Sequence, residues 1–180
     1  MPNYFFGILQ WNRQPVTLIA SEKGLAALEF KKLDDMDLRR FTERPVEDAV
    51  IMAPYLKQLE AYFNGQRHQF DLPLDFQGTP FQQRVWQFLT TIPFGKVASY
   101  QQAASATGNA KAVRAAGMAN NRNPISVVIP CHRVVGKDGT LTGYGGGLHL
   151  KEALLKLEGI QVTRGRIREA SAWLETPALR

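Results

Sequence analysis

The sequence predicts an α+β protein in which a small sheet-and-helix domain, residues 1–76, precedes a mostly helical domain, residues 77–160. Short apolar runs of β-type residues dominate the first part. Two capping boxes lie in the second part and predict short helices there, and an apolar stripe of helical period follows the first of them. The polar residues 161–180 follow as a C-terminal extension.

The predicted elements of the first domain are two strands and one helix. Residues 16–20 and 24–30 are β-type runs on either side of a Ser-Glu-Lys-Gly turn. A helix is predicted over residues 53–63, because Pro54 suits a first turn and an apolar stripe follows it. Residues 70–76 alternate apolar with polar or proline positions, which is typical of an edge strand or an extended linker.

The second domain opens with three predicted helices. A capping box at 79–82 starts the first, and a second box at 99–102 starts a short helix that ends near Thr107. A third helix is predicted from about Ala110 to Asn120. The last two have the spacing of a helix–turn–helix, a unit that binds DNA in many proteins, although helices also pair for purely structural reasons.

The remainder of the second domain carries one predicted strand and one predicted helix. Residues 125–129 form an apolar run that predicts a buried strand. A turn at 136–139 and an irregular glycine-rich loop at 143–147 follow. The last helix is predicted over residues 150–158, with Gly159 as its C-terminal cap.

Basic charge is concentrated in one segment of the chain. The formal net charge is +6, and the 62 residues from Phe76 to Lys137 contain seven Lys or Arg residues and no Asp or Glu. Such a segment is typical of a surface that binds a polyanion, with a solvated basic face as the alternative. A nucleic acid, an acidic protein or a phosphorylated small molecule would each match this charge.

Cys131 is the only cysteine of the 180 residues, which excludes an internal disulfide. A lone cysteine is most often a small buried hydrophobe, but one followed by a histidine is also a candidate nucleophile. His132 is then the candidate base. Glu158 is the candidate that orients it, because a carboxylate in the last turn of a helix opposes the macrodipole; a solvated surface carboxylate is the alternative. The wide spacing of the histidines predicts no metal site, and no cofactor is expected because phosphate-binding glycine motifs are lacking.

Eight short motifs occur in a fixed order along the second half of the chain: Gly78-Thr79-Pro80-Phe81-Gln82, Ser99-Tyr100-Gln101-Gln102, Arg114-Ala115-Ala116-Gly117, Asn123-Pro124, Ile129-Pro130-Cys131-His132-Arg133-Val134, Thr142-Gly143-Tyr144, Lys151-Glu152-Ala153-Leu154-Leu155 and Glu158-Gly159. In this order the set resembles the 6-O-alkylguanine-DNA alkyltransferases, also called methylated-DNA–protein-cysteine methyltransferases. The first 75 residues match the family more loosely, and the resemblance implies a ribonuclease-H-like fold for them.

The resemblance implies single-turnover repair of DNA. Cys131 would take the alkyl group from guanine O6 and keep it as a thioether, with no cofactor. His132 would accept the thiol proton through a water, and Glu158 would hold the histidine. Tyr100 would rotate the phosphate and donate a hydrogen bond or proton to guanine N3, and Asn123 would link the recognition helix to the active-site strand. Whether thymine O4 is a second substrate position stays open.

The resemblance also implies how DNA binds. The partner would be double-stranded DNA containing 6-O-alkylguanine, entered through the minor groove by a monomer, with the target base flipped out. Arg114 would fill the vacated space. The other implied contacts are Tyr100, Ala115, Lys111 and Arg122 to DNA, and Val134, Tyr144 and Gly145 around the base. Gly145 stands where many relatives have Ser or Ala, so a roomier pocket without a hydroxyl contact to O6 is expected.

Two alternatives from other classes remain at this point. A non-catalytic protein that binds damaged DNA or regulates through it could use the same helix–turn–helix. A cysteine hydrolase with a Cys-His-Glu arrangement would turn over repeatedly. The sequence shows no signal peptide and no apolar run long enough for a membrane span, so a cytoplasmic protein with no membrane partner is expected.

Overall fold

The computed structural model describes residue 1 and residues 3–175, which fall into two compact units. Of the described residues, the first unit contains residues 1, 3–77 and 124–126. The second contains residues 78–123 and 127–175. The first break in the chain therefore falls between Gln77 and Gly78.

A four-stranded sheet forms the first unit, with strand order β3-β2-β1-β4. The first three strands are antiparallel, and β4 is parallel to β1. The strands are β1 Tyr4–Trp11, β2 Gln14–Ser21, β3 Gly24–Glu29 and β4 Val46–Glu47. The two predicted strands are confirmed as β2 and β3, but β1 was missed. Its turn to β2 has Asn12 and Arg13 at φ values of 50° and 61°, the conformation of a type I′ hairpin that Asn-Gly usually signals.

The helix of the first unit, α1, runs over Ala49–Phe63, so the predicted start at residue 53 is wrong. Asp48 caps it, because its carboxylate accepts hydrogen bonds from the backbone N–H groups of Val50 and Ile51, both at 2.9 Å. Pro54 therefore lies inside the helix and not in its first turn. The capping carboxylate, and not the proline, marks where this helix begins.

The helices of the second unit are α2 Pro80–Thr90, α3 Tyr100–Ala106, α4 Val113–Asn121 and α5 Leu148–Leu157. Both predicted capping boxes are confirmed, each with its two reciprocal hydrogen bonds. Helix α4 begins three residues later than predicted, because the N–H groups of Lys111 and Ala112 bond back to Asn109 and form a turn. Helix α5 begins two residues earlier than predicted.

The predicted strand at 125–129 is wrong, although the burial that its apolar residues indicate is correct. Ile125 makes a single parallel bridge to Leu28 within the first unit. Val127 then has a φ of 72°, a conformation that interrupts any strand. An apolar run of this length indicates that its residues are buried, but it does not determine whether the backbone forms a strand, a helix or a turn.

Two short strand pairs complete the second unit. Strand β5, Ala98–Ser99, pairs in parallel with β6, Val134–Val135. Strands β7, Val162–Thr163, and β8, Arg166–Ile167, form an antiparallel hairpin within the C-terminal extension. Side chains from this extension share a core cluster with the rest of the unit: Val97, Val135, Leu141, Leu155, Ile160, Ile167 and Ala172. Residues 176–180 of the extension lie outside the described residues.

Candidate active site

Cys131 opens a single 3₁₀ turn, Cys131–Arg133, between Pro130 and β6. The Arg133 N–H closes the turn on the Pro130 carbonyl at 3.0 Å. Only 5% of Cys131 is exposed. Since the three residues lie on a turn and not on a strand, their side chains do not alternate between two faces.

His132 and Glu158 form a buried hydrogen-bonded pair. His132 Nε2 lies 2.9 Å from Glu158 Oε1, and both side chains are fully buried. Glu158 is the C-cap residue of α5, directly after Leu157, and its carboxylate is buried against side chains of the 3₁₀ turn. Burial lowers the pKa of His132, so the ring is neutral at physiological pH.

Arg133 holds Glu158 in its charged form. Its Nε lies 3.0 Å from each Glu158 oxygen, and its Nη2 lies 2.7 Å from Oε1. Burial alone would raise the pKa of Glu158, but the contacts with His132 and Arg133 outweigh it and lower that pKa to about 2. Arg133 also donates to the Ile92 carbonyl at 2.6 Å. It is therefore an internal ion-pair partner, and counting it in a basic surface was wrong.

Two asparagines near the end of α4 hold the backbone around the cysteine. Asn123 Nδ2 donates to the Ile129 carbonyl at 2.6 Å, and Asn120 Nδ2 lies 3.4 Å from the Cys131 carbonyl. Asn123 thus follows α4 closely in the chain and bonds to the backbone two residues before Cys131. Asn120 had no role in the sequence interpretation, although it is almost fully buried.

Lys151 was also missed as a site residue, and it is fully buried. Its Nζ donates to the carbonyls of Val134 at 2.6 Å and Thr142 at 2.8 Å. The Tyr100 hydroxyl donates to the same Thr142 carbonyl at 3.1 Å. Burial lowers the pKa of Lys151 to about 8, with a charge on Cys131 acting in the opposite direction. A cation and a phenol thus lie within electrostatic reach of the thiol.

Two family models match the chain. The model described as "6-O-methylguanine DNA methyltransferase, ribonuclease-like domain" matches residues 5–76. The model described as "6-O-methylguanine DNA methyltransferase, DNA binding domain" matches residues 80–160. The chain belongs to the 6-O-methylguanine DNA methyltransferase family. The resemblance in the sequence and the α+β fold class are both confirmed.

Several members of this family are similar over most of the chain. The methylated-DNA–protein-cysteine methyltransferase of Methanosarcina barkeri is 45% identical over 157 residues, which cover 86% of this chain and 96% of that protein. The protein of the same name from Mycobacterium bovis is 55% identical over 101 residues, covering 56% of this chain and 61% of that protein. A crystal structure of the Mycobacterium tuberculosis OGT in complex with DNA has a TM-score of 0.76 at 41% identity, covering 86% of this chain and 92% of that chain.

The residues that the family resemblance assigns to DNA lie on the outer face of the helix–turn–helix. Lys111, Arg114, Ala115 and Arg122 are exposed, whereas Ala116 and Ala119 of α4 are buried. Trp86 of α2 fixes this helix by donating from its indole nitrogen to the Ala119 carbonyl at 2.9 Å. Met118 is 51% exposed on α4 and adds an apolar group that sequence analysis did not single out.

The residues assigned to the base pocket differ in burial. Val134 is buried, Tyr144 is half-buried and Gly145 is exposed. A Cβ atom added to Gly145 would meet no other atom within 4 Å. Packing therefore does not require glycine here, and there is open space beside this residue. Among the described residues no group of three His, Cys, Asp or Glu side chains could hold a metal ion, and no helix there is long and apolar enough to cross a membrane.

Proposed function

We propose that this protein repairs alkylated DNA directly by moving the alkyl group from guanine O6 to the sulfur of Cys131. The S–C bond forms as the O6–C bond breaks, and the thioether remains on the protein. The thiol proton leaves through His132 and a proton reaches the guanine, so the products are an S-alkylcysteine and an unmodified base. Each molecule reacts once. One observation carries the proposal: in a member of this family, the histidine that directly follows Cys131 forms a buried hydrogen-bonded pair with Glu158.

His132 is the base in this proposal, acting at Nδ1 through a bridging water. The ionised Glu158 can only accept hydrogen bonds, so Nε2 of the neutral ring must carry the hydrogen. That tautomer leaves the lone pair on Nδ1. When the proton arrives, the imidazolium is stabilised by the carboxylate 2.9 Å from its other nitrogen. Arg133 keeps Glu158 ionised throughout, so that Glu158 orients the ring and does not itself take the proton.

Tyr100 and Lys151 assist from the wall of the pocket that Val134, Tyr144 and Gly145 are proposed to form. The Tyr100 hydroxyl donates to guanine N3 and makes the purine a better leaving group. Lys151, whose Nζ lies 5.8 Å from the Tyr100 ring centroid, stays largely protonated at neutral pH and stabilises the thiolate.

The proposed partner is double-stranded DNA, bound by a monomer in the cytoplasm through the minor groove. Because Cys131 is only 5% exposed, its substrate base must leave the helical stack to reach it. Arg114 fills the space that the base vacates, and Lys111, Ala115 and Arg122 contact the duplex around it. Asn123 couples this helix to the cysteine turn.

A mass measurement tests the proposed reaction. The protein is mixed with a duplex oligonucleotide that contains one 6-O-methylguanine and is then digested. The peptide with Cys131 should gain the mass of one methylene, up to one equivalent per protein. The Cys131→Ala variant is the matched control and should bind the duplex without gaining mass. An unmodified Cys131 peptide, or release of methanol over many turnovers, refutes the proposal, and the second result would favour a cysteine hydrolase.

A further inference from the structure

The hairpin β7–β8 of the C-terminal extension has no part in the proposed reaction. Val162 lies opposite Ile167 and Thr163 opposite Arg166 in its register. The match to the family's DNA-binding domain ends at residue 160. The hairpin is therefore an addition to the part of the chain that the family model describes.

The hairpin is held firmly to the second unit. Ile167 is 2% exposed and belongs to the core cluster of that unit. Its N–H donates to the Gly139 carbonyl at 2.9 Å, and the Leu141 N–H donates to the Gly165 carbonyl at 2.9 Å. A Cβ atom at Gly139 would lie 2.2 Å from the Ile167 carbonyl oxygen, so the two segments approach as closely as a glycine permits.

Three arginines point outward from this hairpin, and we call them the arginine strip: Arg164, Arg166 and Arg168. Alternate residues of a strand face the same side. Because Ile167 points into the core, its strand neighbour Arg166 faces the opposite side. Arg164 lies at the turn with a φ of 53°, and Arg168 directly follows the strand. All three are exposed, so three guanidinium groups lie close together along one hairpin.

The charge around the strip stays positive after its carboxylates are counted. Arg166 pairs with Asp138 at 3.3 Å, but both side chains are about half exposed and such pairs contribute little. Lys137 is a fourth exposed cation, and Glu169 is the second carboxylate. Four cations against two carboxylates, on one hairpin and its adjoining turn, match a polyanion.

The strip adjoins the proposed base pocket through the chain itself. The segment that pairs with the hairpin, residues 139–141, leads directly to Thr142. The Thr142 carbonyl accepts the Tyr100 hydroxyl at 3.1 Å. The next residue, Gly143, lies against Asn121 of α4, whose side-chain nitrogen would be 3.2 Å from an added Cβ atom. The segment that holds the hairpin is therefore continuous with residues that contact Tyr100 and α4, over which the duplex is proposed to lie.

We propose that the arginine strip binds backbone phosphates of duplex DNA beside the alkylated nucleotide. This inference rests on the proposed function, because it takes duplex DNA as the ligand. Guanidinium groups bind phosphate oxygens in a bidentate manner, and contacts of this kind add affinity without reading sequence. The hairpin lengthens the bound stretch of DNA beyond the nucleotides that contact the helix–turn–helix.

The salt dependence of binding to an undamaged duplex tests the strip. The variant combines Arg164→Asn, which suits the left-handed turn, with Arg166→Gln and Arg168→Gln. The matched control removes the same charge from exposed lysines of the first unit, as Lys23→Gln, Lys32→Gln and Lys57→Gln. Each phosphate contact contributes about 0.9 to the slope of log K against log salt, so the strip variant should lose about 2 to 3 in slope and the control should keep the wild-type slope.

An unchanged slope in the strip variant overturns the proposal, and this is the result expected if the strip binds an acidic protein instead. An equal loss of slope in the control variant also overturns the proposal. If the triple variant unfolds, Arg168→Gln alone should lower the slope by about 0.9. Alkylation of Cys131 is measured separately by mass, so a wild-type protein that binds the duplex through the strip but never gains a methyl group refutes the proposed reaction and not this surface.

Discussion

Replacing Glu158 by Gln tests the buried ion pair that supports His132. The amide keeps the shape of the carboxylate but turns an N–H₂ group toward donors that lie 2.7 to 3.0 Å away. Arg133, 6% exposed, then loses its charged partner and keeps only neutral acceptors, namely the new amide oxygen and the Ile92 carbonyl at 2.6 Å. Removing one member of a buried ion pair costs about 3–5 kcal/mol, so the free energy of unfolding of the variant should fall by that amount.

Urea unfolding measures this loss, and Glu152→Gln on the same helix is the control. Glu152 pairs with Lys156 at 2.6 Å on the exposed face of α5, where such a pair contributes about 0.3–0.5 kcal/mol. A second variant, Glu158→Gln with Arg133→Met, removes both charges and should recover at least half of the loss. Alkyl transfer should stay impaired in it, because no carboxylate is left to stabilise the His132 imidazolium. A loss below about 1 kcal/mol for Glu158→Gln, or a double variant less stable than the single one, would refute the ion-pair argument.

Four further predictions concern the same site. Arg114→Ala should slow repair of duplex DNA far more than reaction with the isolated alkylated base, and equal losses in the two rate measurements would contradict the role of a finger. Lys151→Met should slow alkyl transfer at neutral pH, because the thiolate loses a buried cation whose charge interacts with it; a rate within a factor of two of the wild type would rule this out. The pKa of Glu158 is about 2 in the folded protein against 4.5 for an ordinary Glu, so its contribution is complete above about pH 4.5 and is lost as the pH falls toward 2; in acid unfolding Glu158→Gln should lack this component. Methylation of Cys131 adds a methyl group to a packed site and should lower the free energy of unfolding by about 1–3 kcal/mol, with thermal unfolding before and after reaction as the measurement.

Local signals in the sequence predicted local structure well. The capping boxes at Thr79 and Ser99 formed as expected, because each depends only on residues three positions apart. The start of α1 was misplaced because Pro54 was given more weight than Asp48, whose carboxylate accepts the first two N–H groups of the helix. Strand β1 was missed because Arg13 occupies a left-handed turn position where glycine would have signalled a hairpin.

The chemical partners in the site depended on contacts that no local pattern contains. Arg133 was counted as surface charge because arginines are seldom buried without a partner, and its partner Glu158 is far away in the sequence. Lys151 did carry a signal, since it lies three and four residues before the buried Leu154 and Leu155 on the same face of α5. The usual exposure of lysine outweighed that periodicity.

The joint burial of His132, Glu158 and Arg133 beside Cys131 suits the histidine to the role of base in the proposed reaction. Burial lowers the pKa of His132 and keeps the ring neutral, but burial of Glu158 alone would raise its pKa and allow it to hold a proton of its own. A protonated Glu158 could donate to Nε2. The ring hydrogen would then lie on Nδ1, the nitrogen whose lone pair is needed to accept the thiol proton. Arg133 prevents this by stabilising the carboxylate. Since apolar side chains of similar size are often at least as stabilising as a buried ion pair, the Arg133–Glu158 pair is better explained by the tautomer that it imposes on His132 than by the stability of the fold.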